Sequence, residues 1–157
     1  MKKCLFFQVL FGVIFAININ AATVSFLVIE TGLPPETGIN QHSVLWENGL
    51  LDVFFEAGHI VSNAPIKRLN SKPMEEFPRE AMGDLNDARE GGAEFFILAL
   101  LEYNGVQAPD KISLRMFKLN PYKKIFEQQH NGKRSNSTRE EYDGLTAIIR
   151  GLVPHLR

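Results

Sequence analysis

The segment AEFFILALLEY, residues 93–103, restricts the fold of this chain more than any other. Its centre is an unbroken apolar run. A strand with one wet face alternates apolar and polar residues, whereas a strand covered on both faces reads as a continuous hydrophobic stretch. The segment therefore reads as the central strand of a sheet.

The neighbouring patterns supply the partners for that strand. ATVSFLVIE (22–30) is dense in β-branched and aromatic residues and reads as a buried first strand. TGLPPETGINQ (31–41) is a long loop. HSVLWENGLLDVFFEAG (42–58) reads as a helix, with Val44, Leu51 and Phe55 in one register and Leu50 and Phe54 in the next. Asn48, Asp52 and Glu56 form its polar edge, Ser43 is placed to cap its start, and Gly58 to end it. HIVSNAP (59–65) is a short strand closed by Pro65. Residues 66–80 are a connector, and Pro78 opens a modest helix carrying Ala81, Leu85 and Ala88.

After the central strand the pattern alternates. KISLRMFKL (111–119) and KKIFEQQH (123–130) read as a hairpin with one dry and one wet face, Phe117 being out of phase. The chain closes on a helix from Thr138 to the C-terminus, with Thr138 and Glu141 as a capping box. The order β-α-β-α-β-β-β-α predicts an α/β fold: a mixed sheet with parallel central strands, an antiparallel hairpin, and helices packed on it.

The first residues are of another kind. MKK is followed by about fourteen mostly apolar residues and then NINAA, the layout of a secretory signal peptide. The run is short for a bilayer span, which needs about 20 residues. The expected organisation is a signal peptide over 1–22, cleaved after Ala21 or Ala22, and a single domain over 23–157. Cleavage would remove Cys4, the only cysteine, which lies too early in the run for a lipoprotein. The mature chain would then have no thiol for a disulfide, nucleophile or metal site. Loss of Lys2 and Lys3 takes the formal charge from −1 to −3, so no electrostatic case exists for nucleic acid. No later segment approaches spanning length, so no membrane span is expected after cleavage.

The strand VSFLVIE, the helix LWENGLLDVFFEAG feeding HIVSNAP, the segment LNDAREGGAEFFILALLEY, the paired strands ISLRMFKLNPYKKIFEQQ and the final helix together resemble one family of small exported α/β domains. It is shared by the N-terminal domain of TolB, the penicillin-binding-protein activator lipoproteins and the curli-export protein CsgG. The Gly92-Ala93-Glu94 step into the central strand is part of the likeness. The chain departs from those proteins in lacking a lipobox cysteine, propeller repeats and a pore-forming hairpin. The resemblance implies a non-catalytic periplasmic domain that binds another envelope protein.

No motif supports catalysis. Ser43, Ser62, His42 and His59 are the available nucleophile and base types, but no G-x-S-x-G elbow surrounds either serine. The histidines at 42, 59, 130 and 155 lack the three-to-five-residue spacing of metal ligands. EGGAEF precedes a strand where a phosphate cradle would open a helix, so it reads as a helix C-cap. Glu47 and Asp52, five residues apart, fall on different faces and make a poor glycosidase pair; Glu47 suits the helix dipole in an exposed first turn. The sequon at Asn136 matters only in a eukaryotic secretory pathway, and the MKK start favours a bacterial envelope. We expect no enzyme, no cofactor and no metal. Leu45, Trp46 and Glu47, beside the proline-rich loop, are the candidate partner-binding residues, with the sheet edges and the 31–41 loop as further contact surfaces. The alternative is a small-molecule-binding or sensory periplasmic domain with a pocket at the carboxyl ends of the parallel strands.

Overall fold

A computed structural model describes residues 21–156 apart from Met74 and Val106. The expected signal peptide lies outside the described residues except for Ala21 and Ala22. The elements run β1 (Thr23–Thr31), α1 (Gln41–Glu56), β2 (Ile60–Asn63), β3 (Lys67–Leu69), α2 (Met82–Glu90), β4 (Phe95–Glu102), β5 (Lys111–Leu119), β6 (Tyr122–Asn131) and α3 (Thr138–Arg150). They form one mixed sheet in the order β2-β1-β4-β5-β6. β1 pairs in parallel with β4 along its length, and β4-β5-β6 is antiparallel. The expected α/β architecture is present, with one added strand.

That strand, β3, falls in the segment expected to be a connector. β2 pairs with the start of β1 and β3 with its end. Pro65 lies between them, and a proline has no N–H for the ladder, so one edge strand becomes two short ones. His59 precedes the strand; its N–H donates to the Phe54 carbonyl across the helix end.

The sheet is buried on both faces. α1 and α3 cover one side, where Trp46, Leu50, Val53 and Phe54 meet Phe26, Ile97 and Leu114. The other side is covered by α2 and the segment before it, through Phe77, Ala81 and Leu85 over Phe96, Leu98 and Phe117. β4 is buried along nearly its whole length, as its composition demands. The two helices on the first side touch closely: a Cβ added at Gly49 would lie 2.2 Å from the Leu145 Cδ1.

β5 departs from the expected wet and dry faces. It lies inside the sheet, so both faces are largely buried. A register shift between Met116 and Phe117 leaves Ile125 without a partner. Ile112, Leu114 and Met116 point to the first side and Phe117 and Leu119 to the second, where the Phe117 ring meets Phe77 at 5.3 Å. Phe117 is out of phase in the sequence because the second face of β5 is covered too. β6, at the edge, carries the wet face.

α1 is turned differently from expectation. Val44 and Phe55 are 39% and 75% exposed, while Trp46, Leu50, Val53 and Phe54 are buried. Both apolar registers are helical; contact with the sheet and with α3 selects the one containing Trp46. Asn40 caps this helix, its side chain accepting from the His42 N–H, whereas Ser43 is already in the first turn and buried. At α3 the cap is Ser137, accepting from the Glu140 N–H at 3.2 Å, while Glu140 accepts from the Asn136 N–H. The cap therefore sits one residue before Thr138, and Glu140 reaches back past it to Asn136. Ser137→Ala is expected to cost about 1 kcal/mol, measured as a shift in the urea midpoint. α3 stops at Arg150; Gly151 and a short turn over Val153–His155 containing Pro154 replace its expected last turns.

Gly58 and Gly92 end α1 and α2 with φ of +85°. In each case the glycine N–H bonds back three residues and the following N–H five, so only a residue tolerant of the left-handed region fits. EGGAEF is thus the helix stop that its position predicted.

Candidate functional site

The carboxyl ends of the parallel strands hold a buried charge. Glu30, on β1, is completely inaccessible to solvent. A carboxylate in that position is tolerable only if its oxygens are paired. Oε2 accepts from the Ser43 hydroxyl at 2.7 Å and the Asn40 N–H at 3.2 Å. Oε1 accepts from the Arg68 guanidinium, with Nε at 2.8 Å. Arg68 also donates to the Pro34, Thr37 and Gly38 carbonyls. The Ser43 hydroxyl lies 2.8 Å from the Tyr103 hydroxyl, and burial pushes the Tyr103 phenol well above its ordinary pKa.

This network joins β1, β3, α1, Tyr103 and the proline-rich loop. Its hydrogen bonds are internal, so it acts as a clasp. The 31–41 loop is drawn onto Arg68 at the carboxyl end of β1. Ser43 contacts Glu30 and Tyr103, with no histidine in place to activate it. His42 instead bonds Glu141 on α3 at 2.7 Å. His59 accepts the Ala22 N–H through Nδ1 at 3.1 Å, and burial lowers its pKa, favouring that neutral form. Ser62 lines a separate shallow hollow beside Asp84 and Asp87. Among the described residues, no three His, Cys, Asp or Glu side chains are grouped to hold a metal ion.

The proposed contact residues have separate fates. Trp46 is in the core, with an edge on the cleft described next. Leu45 is half-buried against the same core. Glu47 is beyond the first turn of α1, so the helix dipole does not account for it. Its Oε1 accepts from the Asn63 side chain at 2.7 Å, tying α1 to β2. Asp52 reaches the opposite flank and accepts from the Tyr142 hydroxyl, a bond that with burial raises the phenol pKa to about 12. Glu47 and Asp52 therefore do not form a carboxylate pair.

Two features escaped the sequence reading. One is the outward stripe of α1, Val44 and Phe55, with Ile60 63% exposed just beyond the helix. The spacing of Val44 and Phe55 was visible, but it also fits a core-facing stripe. The other is a cleft of about 640 Å3 between α3 and the end of β6. Its walls include Trp46, Pro109, Ile112, Leu145 and Ile148, and its rim carries Lys133 and Arg134. The His130 Nε2 is buried there without a hydrogen-bond partner. No local sequence signal marks this site, because its walls come from four separate segments.

No family model matches the chain, and no curated protein does. Solved structures share its fold. A PelC dodecamer from Paraburkholderia phytofirmans is 12% identical, covering 87% of this chain and 90% of its own, with a TM-score of 0.50. The LpoB C-terminal domain from Escherichia coli is 10% identical over 73% of this chain and 84% of its own, at 0.44. The hypothetical protein CT253 from Chlamydia trachomatis is 12% identical over 85% and 99%, also at 0.44. At such identities the likeness is one of fold. Of the types that the sequence resembles, the penicillin-binding-protein activator is represented by LpoB; nothing here shows the TolB or CsgG type.

Proposed function

We propose that this chain is an exported, non-catalytic periplasmic domain that works by binding another protein of the cell envelope. The observation that carries this reading is the second apolar stripe of α1. Val44 and Phe55 face outward, and Ile60 is exposed beside the helix end. A large aromatic left three-quarters exposed, on a helix face that also exposes Val44, supports an interaction surface there. The contact is therefore assigned to the outer face of α1, displaced from the Leu45-Trp46-Glu47 turn.

The sheet edges are poorer candidates than they appeared. β6 carries Lys123 and Lys124 and the irregularity at Ile125, and the opposite edge is broken around Pro65. Charge, bulges and prolines are the devices that keep an edge strand from pairing with another chain. Export rests on the leader-like N-terminal sequence. Among the described residues, no helix is long and apolar enough to cross a membrane.

Site-specific photocrosslinking in intact cells tests the reading. A photoreactive phenylalanine analogue at Phe55 or Ile60 is expected to give a discrete adduct with an envelope protein. The same analogue at Gln129, on exposed β6, is expected to give none. Equal labelling from Phe55 and Gln129 would overturn the assignment.

A further inference from the structure

The geometry points to a second site, independent of the α1 surface: the cleft between α3 and β6 binds a small amphipathic anion, an apolar or aromatic body carrying one carboxylate. The cleft exists because the sheet extends beyond its helical cover. β6 leaves Gln128 and His130 beside α3, and α3 presents Gly144, Ala147 and Gly151 at that flank. No bulky side chain there fills the gap. Its volume of about 640 Å3 lies in the range of small-molecule sites, about 300–1,000 Å3.

The polar groups select the sign of the ligand's charge. The two acids at the rim keep their charge but have oxygens turned to other partners: Glu141 bonds His42 at 2.7 Å, and Glu140 accepts the Asn136 N–H at 2.9 Å. Lys133 and Arg134 have no acidic partner among the described residues. The buried His130 Nε2 is also unpartnered, and a buried polar atom without a partner is destabilising until something bonds it. A ligand carboxylate would face the two cations, and a turn of the His130 ring would let that nitrogen, in its N–H form, donate to it. A ligand ammonium placed at His130 would face the same cations unfavourably and would find no free acceptor in that N–H.

The loop that carries the cations is held in place. The Gly132 N–H donates to the Asp110 carbonyl at 2.7 Å, and a Cβ at Gly132 would lie 1.7 Å from the Pro109 carbonyl oxygen. Backbone contact therefore fixes the stem of the basic loop against the segment that follows β4. The apolar walls account for the ligand body, and the basic rim for its single anionic group.

Indole-3-acetate and decanoate serve as anionic probes, with indole-3-ethanol and tryptamine as the neutral and cationic controls. Binding to the full mature chain is followed by amide NMR and calorimetry. At least one anion is expected to saturate and to shift signals from His130, Gly132 and Lys133, with the alcohol and amine at least about tenfold weaker. The double variant Lys133→Ala/Arg134→Ala is expected to lose about tenfold in affinity for the anion. Gly144→Leu is expected to abolish binding with a melting temperature no lower than the parent's, since a Cβ at Gly144 meets nothing within 4 Å and a longer side chain reaches into the cleft. The proposal is overturned if neither anion saturates, if tryptamine binds as well as indole-3-acetate, or if a folded Gly144→Leu protein still binds. Shifts confined to the outer face of α1 would likewise overturn it, without affecting the protein-binding reading.

Discussion

Glu30→Ala is expected to lower the stability of the domain by about 3–5 kcal/mol, the cost of removing one partner from a buried ion pair. The fully buried carboxylate would vanish, and Arg68, whose side chain is 11% exposed, would keep its charge without its counter-ion. The Ser43 hydroxyl and the Asn40 N–H would lose their acceptor as well. A loss of that size is a large part of the whole stability of a small domain, so urea unfolding is best compared at low temperature. Glu30→Gln isolates the charge, because it preserves the shape. The double variant Glu30→Leu/Arg68→Leu is expected to recover much of the loss, since replacing both members of a buried pair by apolar groups is far less costly than removing one. A Glu30→Ala protein with a midpoint near that of the parent would show that the clasp does not stabilise the fold.

Phe54→Ala is expected to cost about 3–5 kcal/mol, as for a large aromatic removed from a packed core. Its neighbour, Phe55→Ala, is expected to change stability by no more than about 0.5 kcal/mol. The two residues are chemically identical and adjacent, and differ in exposure from 0% to 75%. Chemical denaturation of both variants thus measures directly which face of α1 lies on the sheet. The same pair separates stability from binding: Phe55→Ala should fold normally and lose its partner, an outcome that Phe54→Ala cannot deliver cleanly. Equal losses in the two variants would contradict the assigned helix orientation.

The α1 result also shows why the sequence could be read only in part. Leu50 and Phe54 stand four apart, and so do Leu51 and Phe55. Both stripes satisfy helical spacing, so periodicity identifies the helix without choosing its buried face. The same limit applies to Trp46, whose position beside a proline-rich loop suited an exposed patch as well as the core. It applies again to Ser43, which is a good capping residue by type. Asn40, three residues earlier, takes that role once the first turn is set, leaving the Ser43 hydroxyl to meet Glu30 from across the chain.

Where a local signal was strong, the outcome matched it. The continuous apolar run of β4 required cover on both faces, and α1 with α3 on one side and α2 on the other provide it. Gly58 and Gly92 end helices because the left-handed conformation at those steps is accessible to glycine. The disturbed alternation at Phe117 recorded the burial of β5 on its second face. β3 was missed because three residues, Lys67, Arg68 and Leu69, are too short a run to show a period. They become a strand by pairing with the end of β1.

The sequence by itself determined the class of fold, the central strand, most of the element order and the helix stops, because these depend on interactions within a few residues of one another. Tertiary structure alone decided which stripe of α1 is buried and that Glu30 would pair with Arg68. It also decided that Glu47 would reach Asn63, and that a cleft would open beside His130. Each of these depends on groups brought together from distant segments by the sheet order, and the free energy of burying or pairing them is absent from any local pattern.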